Sequence, residues 1–267
     1  MLKSLICILL ILIAAQGYCG DGRLVKGVTA DGSCAVVGMT AEQARLTALQ
    51  NARMGVIEKA AGVKVSSSTV VTDGRMAADF IRVYASGYIV KEDSLWHDLR
   101  QYNAGGVPVP EYSVTVTADV YVPEKKNILG LKAELNKMLF REGEKAELKI
   151  NVKKDARLAV FNIRADDKVE MLYPSQYMKG ETVKAGETFI FPGYDAPFEL
   201  VMGTLEGHKA DSEAFLVAVL PAESKLPFSV LFDNKLYDFS EFFAAYANIA
   251  DDTEDSLIAY TVLGEGK

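Results

Sequence analysis

The run Tyr112–Val122 constrains this chain more than any other stretch. Tyr112, Val114, Val116, Ala118, Val120 and Val122 fall on one face of a strand, and Ser113, Thr115, Thr117, Asp119 and Tyr121 on the other. Strand side chains alternate with a period of two, so a slip of one residue would bury the hydroxyls and expose the valines. The register is therefore fixed, and the apolar face needs a cover.

The upstream sequence offers one. From Thr40 to Gly62, Ala41, Ala44, Ala48, Ala52, Val56 and Ala60 recur at helical spacing, and Leu49, Ile57 and Ala61 widen the same face. An alanine stripe permits close approach to a sheet. Thr40 with Gln43 forms a capping-box pattern, and Gly62 supplies a stop. Glu42, Arg45, Gln50, Arg53 and Glu58 fall mostly off the stripe. Residues 23–39 read as two short strands split by a turn at Asp31-Gly32, with Ser33–Gly38 as the apolar run. Val63–Thr72 reads as a strand, Met76–Ala85 as a short helix and Tyr88–Arg100 as a long strand. Asn103–Pro108 reads as the loop that turns the chain.

Beyond the connector Pro123–Gly130 the texture changes to short strands separated by turns. Lys145–Lys153, Arg157–Ala165, Val169–Tyr173, Glu187–Phe191, Phe198–Met202 and Ala214–Leu220 form the set, with prolines 174, 192, 197 and 221 at strand ends. A helix at Ser240–Ile249 with Ser240 as its cap, an acidic loop at Asp251–Asp255 and a last strand at Ser256–Leu263 complete the tail. The expected class is α+β. A helix on an antiparallel sheet spans 18–123, an all-β sandwich spans 131–223, and 224–267 packs a helix and a strand onto that sandwich.

Lys3 followed by the apolar run Leu5–Ala15 and the small residues of Ala15-Gln16-Gly17 reads as a signal peptide over residues 1–17. The run is short for a bilayer span. Cys19 raises lipid attachment, but bulky Tyr18 stands where a lipobox wants a small residue, so cleavage without a lipid is the favoured reading. Cys19 and Cys34 either pair in an oxidising compartment or serve as a terminal thiol and a buried strand residue; both remain open. The formal charge of -7 argues against nucleic acid, which calls for a basic stripe.

Two resemblances follow from these residues. Glu42–Arg45, Asn51–Arg53, Ala60–Val63, Ser67–Thr69, Asp79-Phe80, Ser86–Ile89 and Tyr112–Val114 resemble the N-terminal domain of flagellar assembly protein T, a module found in bacterial envelope proteins and lipoproteins. The likeness covers about residues 28–122 and implies an α/β module in which Gly87 turns the chain sharply into its strand. That family's middle and C-terminal domains have no counterpart here, so the module is shared and a flagellar role is not implied. Phe140–Glu144, Leu148–Ile150, Ala159–Ile163, Leu172–Ser175 and Ala185–Glu187 resemble a bacterial domain of unknown function, family 4384. That likeness implies a sandwich in exported proteins and no agreed chemistry.

Catalytic residues do not stand out. A Ser-His-Asp arrangement needs a histidine held between acid and hydroxyl. His97 reads as a surface strand residue and His208 as a loop residue. Asp251–Asp255 lacks the spacing and glycine of a calcium loop and reads as solvated. No cofactor and no metal site are expected. The aromatic tail offers Phe239, Phe242, Phe243 and Tyr246 either as packing onto the sandwich or as a partner-binding patch, and Tyr102, Val107 and Val109 offer a second. The expected function is a non-enzymatic adaptor or accessory part of a periplasmic or outer-membrane assembly, with other envelope proteins as partners. The alternatives are an envelope glycan- or lipid-binding module and, last, a hydrolase using His97 or His208.

Overall fold

The computed structural model describes residues 21–63, 83–84, 86–125, 127–180, 182–225, 227–233 and 235–264. The signal-peptide segment, Cys19, most of the Val63–Thr72 strand and most of the Met76–Ala85 helix lie outside the described residues. Strands hold 47% of the described residues and helix 16%, so the described part is mostly β and is built from several sheets.

The first sheet contains β1 (Arg23–Ala35), β2 (Tyr88–Trp96), β3 (Arg100–Ala104) and β4 (Val107–Val122) in the order β1-β4-β2, with β3 also on β4. All pairings are antiparallel. Val114, Val116, Ala118 and Val120 are buried, as the alternation requires. Tyr121 is buried too, on the opposite face.

β1 corrects the expected pair of strands. Asp31 and Gly32 sit inside one continuous strand, opposite Thr115 and Val114. Gly32 is there for proximity. Helix α1 (Ala41–Ala61) crosses so close that a Cβ on Gly32 would stand 2.1 Å from the Ala48 carbonyl oxygen and 2.4 Å from the Ala52 nitrogen. Ala44, Ala48, Ala52, Val56, Ile57 and Ala60 are buried along α1. Thr40 and Gln43 cap each other reciprocally, and Gly62 ends the helix in the left-handed conformation. Gly87 also serves proximity, because a Cβ there would meet Val120 and Ile57 side chains at 3.1 and 3.3 Å.

The remaining strands are β5 (Lys132–Leu135), β6 (Leu139–Arg141), β7 (Lys145–Ala146), β8 (Leu148–Asn151), β9 (Ala156–Ile163), β10 (Lys168–Tyr173), β11 (Thr182–Val183), β12 (Thr188–Phe191), β13 (Leu200–Val201), β14 (Ala210–Pro221), β15 (Leu236–Asp238) and β16 (Glu254–Leu263). They form a large sheet, β15-β10-β9-β14-β16-β6 with β11 beside β9, a three-stranded sheet β12-β8-β5, and the pair β13-β7. Alternate residues of β9 and β14 divide between two cores. Leu158, Val160, Phe215, Val217 and Val219 pack with Leu148, Ile150 and Phe191 of the smaller sheet. Ala159, Phe161, Ile163, Ala214, Leu216 and Ala218 join the core of the first sheet and α1.

The tail makes that second junction. Helices α2 (Phe228–Leu231) and α3 (Phe239–Tyr246) contribute Phe228, Phe239, Phe242, Phe243 and Tyr246 to the core shared by both halves. Phe242 stands edge-on to Phe161, with centroids 4.9 Å apart, and Phe243 stacks on Tyr88 at 5.6 Å. Ser240 is not the cap of α3: Asp238 holds that position, without a side-chain capping bond.

Candidate functional site

His97 follows β2 on the outer face of the first sheet. Its Nε2 lies 2.7 Å from Thr115 Oγ1, and Thr115 donates to Asp31 at 2.5 Å. The hydroxyl has one hydrogen, and Asp31 takes it. His97 Nε2 is therefore the donor to Thr115 and has no lone pair with which to accept its proton. The order is histidine–hydroxyl–acid, whereas an activated nucleophile needs the histidine in the middle.

His208 is held differently. Its Nδ1 lies 2.6 Å from Asp211 Oδ1, with both side chains buried, and Asp211 Oδ2 accepts the Leu205 N–H at 2.6 Å. This acid–imidazole pair resembles two members of a triad. Among the described residues, no hydroxyl or thiol is hydrogen-bonded to the other ring nitrogen. The pair pins the turn that leads into β14, where the His208 N–H also bonds the Leu205 carbonyl.

The acidic tail segment is not a solvated loop. Glu254 and Asp255 open β16, and the carboxylates of Asp251, Glu254 and Asp255 each hold specific donors. Glu254 accepts the backbone N–H groups of Leu129, Gly130 and Leu131 at 2.8, 3.0 and 2.7 Å. Asp251 accepts from Tyr121 at 2.5 Å and from the N–H groups of Gly22 and Glu124. Asp255 accepts from Tyr88, Tyr246 and Lys125. Burial raises the Tyr88 and Tyr246 hydroxyls well above their ordinary range, so both remain donors. The segment clamps the connector between the halves. Among the described residues, no group of three His, Cys, Asp or Glu is placed to hold a metal ion.

A second ionic contact joins the halves. Arg53 is buried, although the sequence put it off the apolar stripe. It grips Glu92 of β2 through two nitrogens, at 2.8 and 2.5 Å, and Asp167 of the β9–β10 turn at 2.7 and 2.8 Å. Its guanidinium also lies 4.9 Å from the Phe239 ring centroid. Burial would lower its pKa, but Asp167 and Glu92 more than offset this and hold it charged.

The expected interface residues separate. Phe239, Phe242, Phe243 and Tyr246 are brought together, but within the chain's own core. This corrects the reading of a partner patch there: each ring is 2% exposed or less, leaving no area for an outside partner. Tyr102 is half-exposed, and its strand continues the sheet as a two-stranded arm that turns at Gly105-Gly106. Both glycines have positive φ, as a two-residue hairpin requires. The stretch Asn103–Pro108 is thus mostly strand. By its register, Tyr102 shares a face with Val107 and Val109, and the alternation of β4 makes that the outer face, away from α1. Leu95, opposite Thr115, lies on it too. Leu95 is 64% exposed and Val107 62%, at separate places along the same outer face, Leu95 near the sheet and Val107 at the tip of the arm. Leu95 was legible as an apolar residue out of phase with the buried positions of its strand, but not as uncovered.

A family model described as a domain of unknown function, DUF4384, matches residues 139–218. The matched segment runs from β6 into β14. Within it Phe140 and Tyr173 are core residues, and Gly143 and Gly186 occupy turns with positive φ. No curated protein matches the chain.

Proposed function

We propose that this chain is an exported, non-catalytic envelope protein that acts as an adaptor or accessory component of a periplasmic or outer-membrane assembly. It docks other envelope proteins on the outer face of its N-terminal sheet. The observation that carries the reading is the arm: Tyr102 and Val107 present apolar area on one face of a hairpin that extends the first sheet, and Leu95 of β2 lies exposed on the same face nearer the sheet. Aromatic and aliphatic groups on rigid elements are what interface anchors require. The reading takes residues 1–17 as a cleaved signal peptide, with lipid attachment at Cys19 less favoured. It takes the first unit as a helix-on-sheet module like that of flagellar assembly protein T, and the second as a β-sandwich. The alanine stripe against Gly32, and the core between β8 and β9, support those readings.

A photocrosslinker placed at Tyr102 in the full chain, expressed in cells, tests the proposal. A discrete envelope protein should be captured, and the Val107→Asp variant should lose it. A monomer that captures nothing above background refutes the adaptor. The second reading, a glycan- or lipid-binding face, draws on the polar row further along the same outer face from Tyr102, where Thr29 and Thr117 hydroxyls lie 3.2 Å apart and His97, Thr115 and Asp31 are linked. Binding of cell-wall fragments or lipid vesicles that Tyr102→Ala abolishes would favour it.

A further inference from the structure

One end of the large sheet carries a polar cluster that neither the clamp nor the arm uses. Glu213 on β14, Asn162 on β9 and Tyr260 on β16 lie on the face that looks toward the smaller sheet, with Glu213 directly opposite Tyr260. Three contacts close a ring. Tyr260 Oη lies 2.6 Å from Glu213 Oε2 and 2.8 Å from Asn162 Oδ1, and Asn162 Nδ2 lies 3.2 Å from the same Glu213 oxygen.

Each contact needs one hydrogen. The tyrosine has one to give, the amide nitrogen directs one into the ring, and an ionised glutamate has none. Two hydrogens cannot serve three contacts. With a carboxylate, two acceptor oxygens must face each other at bonding distance in a partly buried site, which is costly. Reversing the Asn162 amide moves the conflict to its contact with Glu213 without removing it. A protonated carboxyl supplies the missing hydrogen: Glu213 donates to Tyr260, Tyr260 donates to Asn162, and Asn162 donates back to Glu213.

The surroundings agree. Ala165 N–H also donates to Glu213, 3.3 Å from Oε1. Asp211, on the same strand face and paired with His208, acts on Glu213 with like sign, and Glu170 of β10 acts likewise on Tyr260. Burial raises the Glu213 carboxyl above the ordinary glutamate range, ahead of the opposing hydrogen bonds from Tyr260, Asn162 and Ala165.

We propose that Glu213 is held as a carboxylic acid at neutral pH, and that its proton is a structural component joining β9, β14 and β16, which makes this sheet end sensitive to alkali. A group whose folded pKa lies above its unfolded value of about 4.3 binds more protons in the folded state. Stability is full below the unfolded value and falls as pH rises through the window up to the folded one.

The test is equilibrium unfolding of the full chain between about pH 5 and pH 9, for the wild type and Glu213→Gln, whose amide copies the neutral acid. The ratio of the wild-type to the variant unfolding constant should rise tenfold or more across that range. Parallel curves, or a variant tenfold less stable throughout, would overturn the proposal. If the variant does not fold, carbon-13 labelling of glutamate carboxyls in the wild type decides the matter. One resonance titrating at or above neutrality supports the acid, and all glutamates titrating in the ordinary range refutes it.

Discussion

Removal of Arg53 gives the most exacting test of how the halves are joined. Its guanidinium spans Glu92 and Asp167, whose side chains are 15% and 16% exposed. In Arg53→Met both carboxylates lose their cation while remaining largely out of water. Breaking a buried pair in this way costs about 3–5 kcal/mol, most of it the penalty of the stranded charge. The cost should depend on pH with a definite sign. Burial already raises the Asp167 carboxyl in the intact protein, with Arg53 opposing it. Without Arg53 it rises further, so near pH 4 the acid takes up a proton and the penalty shrinks. Towards neutrality the penalty should grow to its full value. Urea unfolding of wild type and variant at both pH values measures it, with a common slope to show that the unfolded states match. A loss below about 1 kcal/mol at neutral pH would class the contact with solvent-exposed pairs and refute the argument. The triple variant Arg53→Met, Glu92→Gln, Asp167→Asn should recover most of the loss, because it strands no charge.

Four further outcomes follow from the packing. Gly32→Val should cost about 3 kcal/mol or more, since its Cβ would fall on the α1 backbone; calorimetry reads this as a lowered Tm. Glu254→Ala should cost about 3 kcal/mol. It should also speed hydrogen exchange at Leu129, Gly130 and Leu131, whose N–H groups it accepts. Phe242→Ala should cost about 3–5 kcal/mol in chemical denaturation, as a core aromatic does. Tyr102→Ala should stay within about 0.5 kcal/mol of wild type in the same assay, as an exposed residue does.

Local pattern carried much of the fold. The β4 alternation and the alanine stripe of α1 depend on periodicities that a single segment displays, and both were readable. Gly32 was misread because a glycine after an aspartate signals a turn locally. Its actual reason, the backbone of α1 overhead, lies in another segment. Arg53 and Glu254 were missed for the same cause, since the groups that make their burial tolerable are Asp167 and the connector amides. β5, β6 and β15 were too short to show a period. The tail aromatics were recognised as unusual, but composition cannot tell a ring that packs inward from one that faces outward. The arm was half-legible: Tyr102, Val107 and Val109 stood out, and Leu95 joined them only once pairing with β4 put it on the same side.

The place of α3 limits how this protein can be divided. Between β14 and β6 the large sheet needs β16, which lies outside the segment that the family model matches. A fragment cut to that segment would leave β14 with an unfilled edge and Phe161 and Leu216 facing solvent. Cutting at the connector instead would strip Tyr84 and Tyr88 from the rings of α3 and leave an oily flank on each piece. Expression trials that treat the two halves as separable modules should give insoluble material, and the shortest well-behaved species should be one that keeps the first sheet and β16 together.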